Sequence, residues 1–312
     1  MNKNILITGG AGFIGSNLAS DLSQLPIRRI AVLMTCHNRR DKTLRCLRAL
    51  FAQTLPRDMI LRVYLVDDGS SDGTAEAVAS DFRKIRILKG DGSLYWCGGT
   101  RKAWAEAMKS DYDAYLWLND DVVLLPGAII CLLETDKAVR HEEGRAGIIV
   151  GSCRDSETKK HTYGGLIRKR SRVRIPDKPV LPGEKMVPCD AMNGNVVLVT
   201  REAFRVLGNL CPEYSHSIGD ADYGMVARRD GIPVWVAPGY LGECTYNTYT
   251  RKWINPKVPL RQRLNNMCSP LGLPPKEWYV YVRRHTGMLW PLYFIKPIVR
   301  VFLPGVWKWK SE

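Results

Sequence analysis

The sequence predicts an α/β fold with a mostly parallel sheet and helices on both faces. Two observations carry this. Short apolar runs rich in Val, Ile, Leu and Tyr alternate with amphipathic stretches from residue 30 to residue 118, the order that builds βαβ units. Acidic clusters also follow two of the apolar runs directly, Val-Asp-Asp-Gly-Ser-Ser-Asp-Gly-Thr at 66–74 and Leu-Asn-Asp-Asp-Val at 118–122. Carboxylates placed where a buried strand ends are exposed yet rigidly held, and open α/β sheets bind ligands at that edge.

The elements follow in order. Ile30–Met34 reads as a strand, and Lys42–Ala52 as a helix with Leu44, Leu47, Leu50 and Phe51 on one face. Leu61–Val66 is a strand and Thr74–Phe82 a helix capped by Ser70 or Asp72. Ile85–Leu88 is a strand, Gly99–Lys109 a helix and Ala114–Leu118 a strand. Beyond Pro126 the alternation loosens: helix at Gly127–Val139, strand at Ala146–Gly151, then hairpins and basic loops over 152–188. Asn195–Val199 and Pro233–Val236 read as strands, Arg201–Leu207 and Asp220–Asp230 as helices. From Tyr246 the composition turns to Pro, Trp, Tyr and Arg with little periodicity, which marks a boundary. The layout is an N-terminal fragment (1–27), a main domain (28–245) and a basic, aromatic extension (246–312).

The N-terminal fragment carries a pattern of its own. Ile-Leu-Ile-Thr at 5–8 leads into Gly10-x-Gly12-x-x-Gly15 and a helix-like stretch, the context in which glycines let a pyrophosphate approach a helix N-terminus. It resembles the opening of the nucleotide-sugar epimerases of the extended short-chain dehydrogenase family. The resemblance ends near Pro26. No acidic ribose-binding residue follows at the expected distance, and no Tyr in the chain has a Lys four positions on, so that family's catalytic pair is absent. A vestigial or fused segment is the expectation.

The 312 residues, 45% of them hydrophobic, are enough for a full α/β core. The net charge is +15, and residues 251–312 hold 12 Lys/Arg against 2 Asp/Glu, so ten of the fifteen excess charges sit in the last fifth. Concentration at one end points to an anionic membrane surface or acceptor rather than to nucleic acid. A second basic run, Arg168–Arg174, reads equally as a solvated loop or as an attractor for such a partner. Nine scattered cysteines, without a Cys-x-x-Cys, fit free buried thiols in a reducing cytosol. No signal peptide and no uninterrupted membrane span is expected; Met288–Trp307 is broken by Lys296, Arg300 and prolines.

Four motifs in order resemble the family 2 glycosyltransferases of the GT-A fold. Val-Leu-Met-Thr-Cys-His-Asn-Arg (32–39) is similar to the family's first strand and turn, and residues 66–74 to its second motif. Asn119-Asp120-Asp121 stands at the Asp-x-Asp position with Asn for the first Asp. Gly219-Asp220-Ala-Asp222-Tyr, with Arg228 beyond, is similar to the Glu-Asp-x-Asp element with Gly for Glu. The resemblance covers 28–245 and implies a Rossmann-like, nucleotide-sugar-dependent transferase.

It further implies roles. A nucleoside diphosphate leaves only when its charge is neutralised, which a Mn2+ or Mg2+ ion on one or two carboxylates does; Asp121 is the expected ligand, with Asp120 as a further ligand or a ribose contact. Thr35, Asn38, Arg39, Asp67 and Asp68 are expected around the base and ribose, Asp68 accepting a base N–H. Gly98, Gly99 and Arg101, before the helix predicted from Gly99, suit the diphosphate. Trp96 is either a sugar-stacking ring or core, and Asn119 adds a neutral hydrogen bond. Asp220 falls at the base position of an inverting reaction, with His216 as a rival on chemistry alone. Asn193 and Gly194 resemble the segment lining the sugar and acceptor cleft, to which Asp222 is also assigned unless it fixes a helix N-terminus.

The expected activity is metal-dependent, inverting transfer from a UDP-, dTDP- or GDP-sugar to a hydroxyl of a surface glycan carried on a lipid. The expected location is cytoplasmic, peripheral on the inner membrane face, with aromatic and basic residues of 278–310 in the interface. A homo-oligomer is left open. The rivals are a catalytically inactive glycan- or membrane-binding scaffold and an NAD-dependent epimerase.

Overall fold

The computed structural model describes residues 27–168, 177–246 and 252–304. The glycine fingerprint of 10–15 and most of the 168–174 basic run lie outside them. In chain order the elements are β1 (Arg29–Cys36), α1 (Arg40–Phe51), β2 (Ile60–Asp67), α2 (Thr74–Asp81), β3 (Arg86–Lys89), α3 (Tyr95–Ala107), β4 (Ala114–Leu118), β5 (Val123–Leu124) and α4 (Ala128–Glu143). They continue with β6 (Ile148–Arg154), β7 (His161–Tyr163), β8 (Gly165–Arg168), β9 (Asp177–Pro179), β10 (Val187–Pro188), β11 (Ala191–Met192), β12 (Val196–Thr200), α5 (Arg201–Leu207), α6 (Gly219–Arg229) and β13 (Val234–Glu243). The last helices are α7 (Leu260–Cys268), α8 (Pro275–His285) and α9 (Trp290–Phe302).

The main sheet runs β10-β13-β6-β12-β4-β1-β2-β3. Strands β3, β2, β1 and β4 are mutually parallel, while β12 enters antiparallel between β4 and β6. The central strands are buried on both faces, which is why β4 reads Ala-Tyr-Leu-Trp-Leu without alternation. One face packs Leu47, Leu50, Leu116 and Leu132. The other gathers Trp104, Trp117, Tyr115 and Tyr223, with Trp104 and Trp117 edge to face at 5.5 Å.

Strand order and register (Thr35 beside Val66, Cys36 beside Asp67) bring the ends of β1 and β2 together, with β4 ending on the other side of β1. The acidic clusters therefore converge at one sheet edge. One boundary and one side chain depart from expectation. Helix α3 begins at Tyr95 rather than Gly99 because the N–H groups of Gly92, Leu94 and Tyr95 donate to the Asp68 carboxylate at 2.9, 3.3 and 2.9 Å, a cap supplied from 27 residues away. Phe51 is 45% exposed and stacks on Phe82 instead of facing the core. Helices α8 and α9 pack Tyr281, Val282 and Tyr293 against Cys97 and Tyr214, so the C-terminal extension lies directly on the main domain.

Candidate active site

At the carboxyl ends of β1, β2 and β4 lies a cleft of about 640 Å³, the size and place expected of a ligand site in an open α/β sheet. Its floor is the turn after β4. Asp120 and Asp121 are both nearly buried, and Arg39 Nη1 donates to Asp120 Oδ1 at 3.1 Å and Asp121 Oδ2 at 2.9 Å. One guanidinium nitrogen thus sits where two carboxylate oxygens converge. Burial pushes the Asp120 carboxyl up to about 7, against the pull of Arg39.

That convergence is the test of the metal expectation, and the residues fit. Two hard oxygens facing one point, with open cleft beyond, match a small divalent cation that keeps sites for waters and phosphate oxygens. Among the described residues no group of three or more His, Cys, Asp or Glu is placed to hold a metal by itself, so substrate would complete the shell. Cys244 Sγ, 3.5 Å from Asp121 Oδ1, backs the pair from β13's end.

The opposite wall is built from α6 and the segment before β12. Asp220 Oδ2 accepts from Gly194 N and Oδ1 from Ala221 N, both at 2.8 Å. Burial pushes its carboxyl above the usual range. His216 also faces the cleft, but burial and the nearby Arg39 charge push it down to about 4, so it is neutral at physiological pH. Gly194 is squeezed between these parts: a Cβ there would lie 2.2 Å from the Trp96 ring. The Trp96 indole N–H in turn donates to Asn119 Oδ1 at 2.7 Å. Asn119 therefore anchors a cleft-lining ring through its side-chain oxygen. Asn193 lines the same wall, its Oδ1 accepting from Gly164 N at 3.3 Å. Thr35 lines the cleft, and its Oγ1 is buried without a hydrogen-bond partner.

Several expected site residues are used elsewhere. Asp68 borders the cleft, and its two oxygens also accept the N–H groups at the start of α3. Asp67 Oδ1 accepts from Ser70 N, closing its own turn. Asn38, at φ 50°, spends its amide oxygen on Ser71 N and braces that same loop. Gly98 and Gly99 lie inside α3, where Gly99 allows the Thr35 side chain to approach (a Cβ would be 2.3 Å from it). Arg101 turns away from the cleft and donates to the carbonyls of Cys211 and Tyr214 at 3.0 and 2.6 Å. Asp222 points away too: Tyr214 Oη donates to it, as does Arg284 Nη1 of the C-terminal extension, whose His285 Nε2 lies 2.7 Å off. Tyr163, Ser217 and Leu271 line the cleft without having been singled out. Leu271 belongs to the extension, where no local motif marks it.

Comparison with known proteins agrees with this architecture. The sequence model of glycosyl transferase family 2 matches residues 31–195, and the chain belongs to that family. It is 24% identical over 272 residues, 77% of this chain and 80% of the relative, to the N-acetylglucosaminyl-diphospho-decaprenol L-rhamnosyltransferase of Mycobacterium tuberculosis, in strains CDC 1551 and H37Rv alike. Among solved structures, GalNAc-T7 with UDP, GalNAc and Mn2+ superposes with TM-score 0.55 at 14% identity, covering 87% of this chain and 54% of that one. This chain thus spans about half the length of that structure. The mannosyltransferase PcManGT of Pyrobaculum calidifontis, in complex with GDP-Man and Mn2+, gives TM-score 0.51 at 12% identity, covering 95% and 93%. The fold is GT-A, and the protein is a glycosyltransferase.

Proposed function

We propose that this cleft transfers a sugar, with inversion, from a nucleoside-diphosphate donor to a hydroxyl of a lipid-linked glycan. The observation that carries the proposal is the cleft's two-sided chemistry. Asp120 and Asp121 converge on one cation position, and across the cavity stands Asp220, held by two backbone N–H groups and desolvated. A divalent cation bound at Asp121 and Asp120 would supply neutralisation of the diphosphate charge. In-line attack then forms the bond from acceptor oxygen to anomeric carbon as the bond to the β-phosphate oxygen breaks. The hydroxyl proton passes to Asp220, whose raised carboxyl suits it as a base, and the nucleoside diphosphate departs. Thr35 and Trp96 contact the donor, and Asn193 and Gly194 the sugar. The acceptor class follows the lipid-linked substrate of the mycobacterial relative and the Tyr163 and Leu271 side chains that line the cleft. Thermal shift with UDP, GDP and dTDP, each with and without Mn2+, tests the donor side. Stabilisation by one nucleotide only when Mn2+ is present is expected; stabilisation by NAD+ instead would sink the reading.

We also read the extension as a membrane contact. Met288, Leu292, Ile295 and Phe302 are 97%, 67%, 52% and 51% exposed along one side of α9 and the turn before it, in a segment with ten excess positive charges. An apolar stripe within basic surroundings matches an anionic membrane interface. No helix among the described residues is long and apolar enough to cross a membrane. Leu292→Glu/Ile295→Glu should release the protein from anionic vesicles in co-sedimentation and lower transfer to a lipid-linked acceptor while sparing a soluble analogue. Unchanged vesicle binding would refute this.

Residues 28–245 are taken as the catalytic unit, with 1–27 appended to it. Deleting 1–26 while keeping Ile27, which is 1% exposed at the base of β1, should leave kcat within a few-fold of wild type. A folded truncation without activity would overturn that division.

A further inference from the structure

We propose that Asp222, gripped by Arg284 and His285 of α8, is a positioning residue that sets Asp220 in the cleft, making the C-terminal extension part of the catalytic apparatus. This rests on the reading of Asp220 as the base. Asp220 and Asp222 both lie in the first turn of α6, and residues two apart on a helix point about 200° around its axis. One therefore faces the cleft and the other its back. There Arg284 Nη1 donates to Asp222 Oδ2 at 2.8 Å, Tyr214 Oη donates to Oδ1 at 2.9 Å, and His285 Nε2 is 2.7 Å from Oδ1. The Asp222 and His285 side chains are each only 4% exposed, and a buried carboxylate left without partners would be strongly unfavourable.

The backbone just before α6 needs such a hold. Ile218, a β-branched residue, sits at φ 60°, in the left-handed region, a conformation that persists only where surroundings enforce it. Asp222 N donates to Ile218 O at 2.8 Å, so the gripped residue is tied to the strained one. The rest of the loop is fixed from the same side: Ser215 Oγ donates to Glu277 Oε1 at 2.5 Å, and Cys97 N to Ser215 O at 3.0 Å. The ties from Arg284, His285 and Glu277 of α8 thus land on the segment that presents His216, Ser217 and Asp220 to the cleft. Without the grip, Ile218 is free to relax and the first turn of α6 to swing.

The test is a cycle in the full-length chain combining Arg284→Ala/His285→Ala with Asp220→Asn, read by kcat, donor KM and melting temperature. The double variant should lose about 10- to 100-fold in kcat, the scale of an ångström-sized misplacement, with donor KM within about twofold because the nucleotide end lies across the cleft. Added to Asp220→Asn it should cost nothing more, since it acts through that residue, and Arg284→Lys should recover most of the rate. Wild-type kcat in the folded double variant overturns the proposal, as do losses that multiply with Asp220→Asn or a fall in donor affinity parallel to kcat. If the double variant does not fold, Asp222→Asn and His285→Gln are put through the same cycle and judged by the same outcomes. Near-normal turnover of Asp220→Asn would instead remove the base assignment itself, whatever the grip does.

Discussion

Asp121→Ala is expected to abolish transfer and, with it, metal-dependent nucleotide binding. The loss should reach about 10³-fold or more, since a cation on a departing diphosphate supplies several kcal/mol of transition-state stabilisation and each 1.4 kcal/mol is tenfold. Fold stability should change little. Removal of Asp121 leaves Arg39 still paired with Asp120 at 3.1 Å. The wild-type enzyme should be silenced by EDTA and restored by Mn2+ or Mg2+. Full activity in EDTA would refute the assignment of the acidic pair, as would a variant that still binds nucleotide only when metal is added.

The second large effect is at Asp220. Asp220→Asn keeps an oxygen to accept one of the two backbone N–H bonds, from Gly194 or Ala221, but cannot take a proton. Turnover should fall by about 10²–10⁴, the usual contribution of a positioned base, while nucleotide and metal binding stay near wild type. The pH dependence has a definite sign. The base must be ionised to act, and burial raises its carboxyl above the ordinary range. The wild-type rate should therefore fall as pH drops through that raised value, at a higher pH than a solvated aspartate near about 3.9 would give. The variant should lack this limb when measured at saturating metal, which keeps Asp120 ionised. His216, pushed down to about 4, holds a proton too weakly to replace it. A dead His216→Ala beside an active Asp220→Asn would reverse the two roles.

Much of this was legible in the residues. The parallel half of the sheet follows from apolar runs that stop at acidic turns, and Asp120, Asp121 and Asp220 all reach one cleft, as their strand-end and helix-start positions imply. What local reading missed has a common physical cause: side chains whose partners are distant in sequence. Asp68, at a strand end beside the cleft, also caps a helix 27 residues on. Arg101 looks like a phosphate binder at a helix start, yet α3 begins earlier and its guanidinium meets carbonyls over a hundred residues away. Asp222 belongs with α8 because α8 folds back onto the main domain, which the Pro- and Trp-rich composition after Tyr246 did not announce. Asn119 holds the ring of Trp96, 23 residues earlier in the chain, a contact its place in the motif did not announce.

The anomeric configuration of the first-formed product tests the central claim most directly. With Asp220 as the proposed base on one side of the cleft and the acidic pair for the diphosphate on the other, a single in-line displacement is expected. Proton NMR of the product at early times, before mutarotation or further reaction, should show the configuration opposite to that of the donor. A product with the donor's configuration retained would contradict the account, since it would require two displacements or a same-face attack for which Asp220 is misplaced.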